Sequence, residues 1–212
     1  MVQCSARRAA MAPMETTDGE DYTRRLVERG GAPWKRFLNV QAPYQWNLRR
    51  RDLGRTLDVG CGIGRNLPTL APGSVGVDHN VTAVALARAN GLQAMTVEEF
   101  FTSVALQAAP ASFDGILLSH VIEHMSAKAG IEMMQMYLPC LKPGGKVLLI
   151  CPQERGYASD PTHVRWTTGE DLERLAQEVR LRPERWTSFP LPRAFGRVFT
   201  YNEFNVLARK PL

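Results

Sequence analysis

The sequence predicts an α/β fold in which a parallel sheet carries helices on both faces. Three observations lead there. Between residues 55 and 151, short β-rich runs alternate with helix-length segments, the signature of βαβ crossover units. The first of these runs ends in a glycine-rich turn, Gly60-Cys61-Gly62-Ile63-Gly64. A chain of 212 residues, 44% hydrophobic and 22% charged, also suits one large domain with its own core.

Residues 1–18 are rich in Ala, Met, Arg and Thr without periodicity, and read as a disordered or processed tail, with Met11 and Met14 as alternative starts. Residues 19–212 form the single domain: 19–51 an N-terminal helical cap or lid, 52–212 the core. From Asp21 to Arg51 the apolar spacing is helical, through Tyr22, Leu26, Val27, Trp34, Phe37, Leu38, Tyr44, Trp46 and Leu48. Gly30-Gly31-Ala32-Pro33 splits that stretch in two, because both glycine and proline oppose helix continuation. Arg55–Val59 is the first strand, and a helix starts over Asn66–Leu70. Ser74–Val77, Leu92–Thr96, Phe113–Leu118 and Lys146–Cys151 are the next four strands. Helices at Val81–Ala89, Glu98–Gln107 and onward to Leu141 separate them. A further helix spans Thr168–Val179. Two last strands, Glu184–Phe189 and Asn202–Ala208, flank a Pro- and Gly-containing connection that suits a hairpin better than a crossover.

Composition closes several routes. The net charge of +5 is carried by residues 1–55, which hold 11 of the 26 Lys and Arg but 6 of the 21 Asp and Glu; the rest of the chain balances. A nucleic-acid binder would carry a basic stripe over its working face, and Arg49-Arg50-Arg51 reads instead as a solvated helix end. No apolar run approaches the ~18 residues that would span a bilayer, so no membrane insertion is expected. Cys4, Cys61, Cys140 and Cys151 are scattered and form no C-x-x-C pair. That argues against a zinc site or disulfide scaffold and for a reducing, cytoplasmic setting.

The glycine turn carries the strongest chemical signal. Glycines at every second position after a strand let the backbone turn sharply and approach a ligand closely. The helix expected after it offers free N–H groups and a partially positive end. Asp58 lies two positions before Gly60, inside the strand, and Asp78 ends the next strand, where a carboxylate can accept ribose hydroxyls. A fixed negative charge at Asp58 would repel phosphates, so the pair suits an adenosyl ligand bearing an ammonium group better than a dinucleotide.

With these residues in order, the sequence resembles the class I S-adenosylmethionine-dependent methyltransferases over most of residues 34–212. Leu57–Gly64 is similar to the family's glycine-rich motif and Val77-Asp78-His79 to its ribose-binding acid. Thr96–Phe100 is similar to its adenine-contacting segment, Ser112–Met125 to its fourth strand and following helix start, and Leu141–Val147 to its turn into strand five. The resemblance implies S-adenosyl-L-methionine as cofactor. It also implies a Rossmann-like seven-stranded sheet in the order 3-2-1-4-5-7-6, with strand seven antiparallel. It puts Gly60, Cys61 and Gly62 along the methionyl part, Asp58 at its amino group, Asp78 at the ribose and His79 beside the adenine. Val97 and Glu98 would read the adenine edge, and Ser119 and His120 would lie under the sulfonium. For Glu98 and Glu99 an acidic first helical turn is an equally good reading.

The acceptor is narrowed by elimination. Ser119-His120-Val121-Ile122 stands where enzymes methylating adenine or glutamine amides carry an Asn/Asp-Pro-Pro-aromatic run, and Pro139-Cys140 precedes the Lys142-Pro143-Gly144 turn, away from the position of a cytosine nucleophile. A small organic acceptor, methylated at O, N or C, remains. Its proton has to be removed, which a neutral histidine does well near pH 7. His163, in the loop after strand five, and His124 are the candidate catalytic groups. His120 and His124 are four apart on one helical face, but with no third ligand set visible in the sequence no metal is expected. Two alternatives stay open: a cofactor-binding protein that transfers no methyl group, and an RNA methyltransferase aided by Arg49–Arg51.

Overall fold

The computed structural model describes residues 41–102 and 110–212. The predicted tail, the first part of the helical cap with Trp34, Phe37 and Leu38, and the end of the helix expected over Glu98–Gln107 lie outside the described residues.

In chain order the regular elements are α1 (Ala42–Arg50), β1 (Thr56–Val59), β2 (Val75–Asp78), α2 (Val81–Ala89), β3 (Ala94–Thr96) and α3 (Val97–Thr102). They continue with β4 (Phe113–Ser119), α4 (Ala127–Tyr137), β5 (Leu141–Pro152), α5 (Glu154–Tyr157), α6 (Gly169–Glu178), β6 (Arg182–Pro183), β7 (Thr187–Phe189) and β8 (Glu203–Arg209). One sheet runs β3-β2-β1-β4-β5-β8-β6, with β7 also paired to β8. The first five strands are mutually parallel and β8 is antiparallel to β5. This is the expected order, with β8 as strand seven and the sixth strand in two pieces. The break has a local cause. The Glu184 N–H still donates to Leu207 O at 2.7 Å, but the Trp186 N–H is diverted to Glu173 Oε1 at 2.6 Å while its ring stands edge-on to Phe204, so the strand leaves the ladder after Glu184.

Alternation along the strands explains why both faces are covered. Leu57 and Val59, Ile116 and Leu118, Val147 and Leu149, and Val206 and Ala208 bury one face against Met133 and Met134 of α4 and Leu172 and Leu175 of α6. Leu117, Leu148, Ile150 and Leu207 bury the other against Leu48 of α1 and Leu53. Burial on both sides is what a parallel sheet requires. Helix starts follow from their caps: Asn80 Oδ1 accepts the Ala83 N–H at 3.0 Å, and Thr168 with Asp171 forms a reciprocal capping box on α6.

α1 docks on the β7–β8 edge. Tyr44 and Trp46 contact the Phe189 ring, Tyr44 Oη–H donates to Tyr201 O at 2.8 Å, and buried Asn47 donates to Asn205 Oδ1 at 2.8 Å. Arg50 sits over the Trp46 ring and Arg51 donates to Thr187 Oγ1, so two of the three clustered arginines are engaged by the fold.

Candidate functional site

The turn after β1 is held by its own backbone. Gly60, Gly62 and Gly64 have φ of 75°, 53° and 79°, the left-handed region open to glycine. The N–H groups of Gly60 and Cys61 both donate to Val77 O, at 2.8 and 3.2 Å, which stitches the turn across the ends of β1 and β2. A Cβ on Gly60 would stand 2.5 Å from Val121 Cγ2, so the turn also presses on the segment after β4. Cys61 turns its side chain inward to pack with Val84, Ala87 and Ala94; only its backbone belongs to the turn's ligand face. The helix expected over Asn66–Leu70 is reduced to one 3-10 turn, Leu67–Thr69. Pro68 and the extended Leu70 stop it, with Pro72-Gly73 close behind. It is too short to supply the helix-end field anticipated for this loop.

Two carboxylates flank the turn. Asp78 Oδ2 accepts the Gly62 N–H at 2.7 Å, its Oδ1 accepts the Asn80 N–H at 2.8 Å, and His79 Nδ1 lies 3.4 Å from Oδ1. Asp78 therefore organises the loop while each oxygen keeps a second lone pair. Asp58 is 1% exposed, and neither of its oxygens has a hydrogen bond of good geometry, the Asn66 side chain being the polar group beside it. Burial, and next the nearby Asp78 charge, push its carboxyl up to about 7, with the Asn66 side chain working the other way. A buried carboxylate without a cation beside it is costly, and a cationic ligand group is the natural remedy.

After β3, Val97 is half-buried and Glu98 is exposed. The first-turn role falls to Glu99, whose Oε2 accepts the Thr96 N–H at 2.8 Å and pairs with Arg88; that pairing holds its carboxyl below the usual range.

At the end of β4, Ser119 is followed by His120, a non-glycine residue at φ 58° and thus in a sparsely populated conformation. Its N–H donates to Ile150 O at 2.9 Å. Its Nε2–H donates to Glu203 Oε1 at 2.8 Å, and its Nδ1 stands 3.3 Å from Glu123 Oε1. Desolvation alone would lower the imidazolium, but Glu123 and Glu203 outweigh it and raise it to about 10. Glu123 is wholly buried. Burial favours its acid form, yet His120 overrides this and holds it below the ordinary carboxylate range. His124 Nδ1–H donates to Thr162 O at 3.1 Å, and burial lowers that ring.

The loop after β5 brings in His163. The Glu123 carbonyl accepts the N–H groups of Val164 and Arg165 at 3.0 and 3.1 Å. That pairing sets His163 beside His124, ring centroids 4.8 Å apart, and stacks it on Tyr157. His163 Nδ1–H donates to Tyr157 O at 2.7 Å.

The predicted residues thus fall into two groups at the carboxyl ends of adjacent strands. Asp58, Gly60, Cys61, Gly62, Asp78 and His79 gather after β1 and β2; Ser119, His120, His124 and His163 gather after β4 and β5. The chain's direction of strand addition reverses between β1 and β4, the switch point where open α/β sheets bind ligands. Val97 and Glu98 lie after β3. Open clefts of about 310 Å³ beside Glu170 and Trp186 and about 190 Å³ beside Leu53 and Leu70 contain none of these residues.

The family model described as a methyltransferase domain matches residues 26–209. The chain belongs to the methyltransferase domain family. Comparison with curated proteins gives no match. The methyltransferase is similar in fold to an Archaeoglobus fulgidus structure titled a SAM-dependent methyltransferase, at 18% identity and TM-score 0.59, covering 82% of this chain and 99% of that one. It is similar to the Synechocystis PCC 6803 magnesium protoporphyrin IX methyltransferase solved with bound SAH, at 13% identity and TM-score 0.62, covering 93% and 97%. It also matches a chain from the complex of a Haloferax volcanii Trm112 methyltransferase activator with its methyltransferase, at 16% identity and TM-score 0.65, covering 94% and 98%. At such identities the likeness is one of fold. Among the described residues of the methyltransferase, no helix is long and apolar enough to cross a membrane.

Sequence reasoning passed over Glu123 and Glu203. Glu123 sits in Val121-Ile122-Glu123-His124, where its complete burial has no local signal. Glu203 begins β8, 83 residues from the histidine it holds.

Proposed function

We propose that this methyltransferase takes its methyl group from S-adenosylmethionine and passes it to a small organic acceptor at oxygen, nitrogen or carbon. The observation that carries the reading is Asp58: a carboxylate fully buried two residues before the glycine turn, with no cationic partner and no hydrogen bond of good geometry among the described residues. It suits a ligand's ammonium group, directly or through water. When bound, the cofactor supplies an electrophilic sulfonium methyl, open to in-line displacement.

The chain's own residues then bind and orient. Asp78 keeps lone pairs for the ribose hydroxyls while holding Gly62. His79 lies beside it for the adenine, the Val97 backbone and Glu98 serve the adenine edge, and the backbone of Gly60–Gly62 with Ser119 and His120 serves the methionyl end. His163 and His124 face the acceptor side. The Nδ1–H donation of each ring to a backbone carbonyl leaves Nε2 with a lone pair, the form that accepts a proton. A small acceptor is favoured over RNA because Arg50 and Arg51 are engaged in packing α1 onto β7. The buried thiols of Cys61, Cys140 and Cys151, none of them in a disulfide, are in keeping with a cytoplasmic setting.

The test is calorimetric titration of the full chain with S-adenosylmethionine and its demethylated product, followed by incubation of methyl-labelled cofactor with a small-molecule extract. The reading expects micromolar-range binding, lost in Asp78→Ala, and label in a small product. Failure of both ligands to bind overturns it. Binding without any labelled product points to the non-transferring alternative.

A further inference from the structure

Glu123, His124 and His163 each offer one ligand atom, and the three atoms lie within 4.8 Å of one another. In the sequence His124 had no third partner; the docking of the loop after β5 supplies it. A carbonyl oxygen can only accept, so the bonds from His124 Nδ1 to Thr162 O and from His163 Nδ1 to Tyr157 O fix both rings as Nδ1–H tautomers. Their Nε2 lone pairs are left available, to take a proton when the cation is absent or to ligate the cation when it is bound, but not both at once. Metal-ligating histidines are set this way, with the far ring nitrogen tied to a carbonyl.

The carboxylate completes the set. Glu123 is 0% exposed, and its Oε1 makes no hydrogen bond although His163 Nε2 lies 4.0 Å away. Its other oxygen, Oε2, accepts the Cys151 S–H at 3.3 Å, which fixes the orientation of the group. His120 Nδ1, 3.3 Å from Oε1, is the one cationic neighbour facing that oxygen among the described contacts, and its ring is already tied to Glu203 on the other side.

We propose that Glu123, His124 and His163 bind a first-row divalent transition cation such as Zn²⁺ or Mn²⁺. Two imidazoles and one carboxylate form a borderline nitrogen–oxygen set, which suits these ions better than Mg²⁺ with its demand for oxygen ligands. Bond lengths of about 2.0–2.2 Å put ligand atoms roughly 3–3.5 Å apart, so the widest separation in the cluster closes by roughly 1.3–1.8 Å on binding. Three protein ligands leave a coordination position open, as in catalytic rather than structural sites. That open position would take an oxygen of the acceptor. That last point rests on the methyl-transfer reading; the cation site does not.

The experiment uses tag-free full-length protein stripped with a chelator and titrated with Zn²⁺, Mn²⁺ and Mg²⁺, and separately with Co²⁺ followed by visible absorption. One equivalent of Zn²⁺ and Co²⁺ d–d bands are expected for the wild type, with at least tenfold weaker binding in Glu123→Gln and in His163→Gln. Circular dichroism checks that each variant is folded, and either folded variant alone is decisive. No stoichiometric transition-metal binding, or equal binding in a folded variant, overturns the proposal. Asp78→Ala, measured in parallel, is expected to lose S-adenosylmethionine yet keep the metal, so failure of one reading is told apart from failure of the other.

Discussion

The imidazole of His120 donates from Nε2 to Glu203 Oε1 at 2.8 Å, joining the end of β4 to the start of β8 across 83 residues. The contact lies at the edge of the candidate site and anchors a residue in a strained conformation at φ 58°. Charge-assisted hydrogen bonds contribute about 1.5–3 kcal/mol. Glu203→Ala is expected to lower stability by about that amount. Urea unfolding reads it as a shift in midpoint at constant slope; an unchanged midpoint would mean that the contact is not maintained in solution.

Asp58 makes a prediction with a definite sign. Its folded-state carboxyl is raised from 3.8 to about 7, so the folded state holds the proton longer than the unfolded one. The protein without cofactor therefore loses stability as pH rises from about 4 to about 7, by up to about 4 kcal/mol. Asp58→Asn should be more stable than wild type at pH 8 and equal to it near pH 4, while binding S-adenosylmethionine at least tenfold more weakly. Unfolding curves at the two pH values, with calorimetry at pH 8, test both halves.

Gly60 and Gly91 separate steric cost from conformational cost. Both have positive φ, 75° and 76°, but a Cβ at Gly60 would meet Val121 at 2.5 Å whereas at Gly91 it meets nothing within 4 Å. Gly91→Ala is expected to cost about 1–2 kcal/mol. Gly60→Ala should cost more and be partly rescued by Val121→Ala. Denaturant unfolding of the three variants would show it, and the absence of rescue would remove Val121 as the cause.

The buried amide pair Asn47–Asn205 ties α1 to β8, with Asn47 Nδ2–H donating to Asn205 Oδ1 at 2.8 Å. Asn47→Ala leaves that oxygen unsatisfied, at about 1–3 kcal/mol. The double variant Asn47→Ala with Asn205→Ala should cost less than the sum of the two single changes. A strictly additive double-mutant cycle would contradict the coupling.

The sheet was legible because its strands advertise themselves. Leu57-Asp58-Val59, Ile116-Leu117-Leu118 and Val147-Leu148-Leu149-Ile150 are apolar runs bounded by turn residues, and Asn80, Ser126 and Thr168 cap helices where their types predict. The helix after the glycine turn was misread because Asn66–Leu70 has helical spacing, while Pro68 and Pro72 decide that one 3-10 turn is all that forms. For Cys61 the sequence pointed to a backbone role in the turn, and the structure adds that its side chain packs inward into the space that Gly76 leaves beside it.

By itself the sequence determined which residues could do chemistry and in what order the strands follow, since glycines, acids and apolar periods are local properties. Only the tertiary structure decided that Glu123 is wholly buried, that Glu203 holds His120, and that His163 closes on His124. Those relationships join residues about 40 positions apart or more: the loops after β4 and β5 pair through the Glu123 carbonyl, and β8 brings Glu203 to His120 across 83 residues. No local propensity encodes them, because the desolvation that gives a carboxylate or an imidazole its character comes from whatever the rest of the chain packs against it.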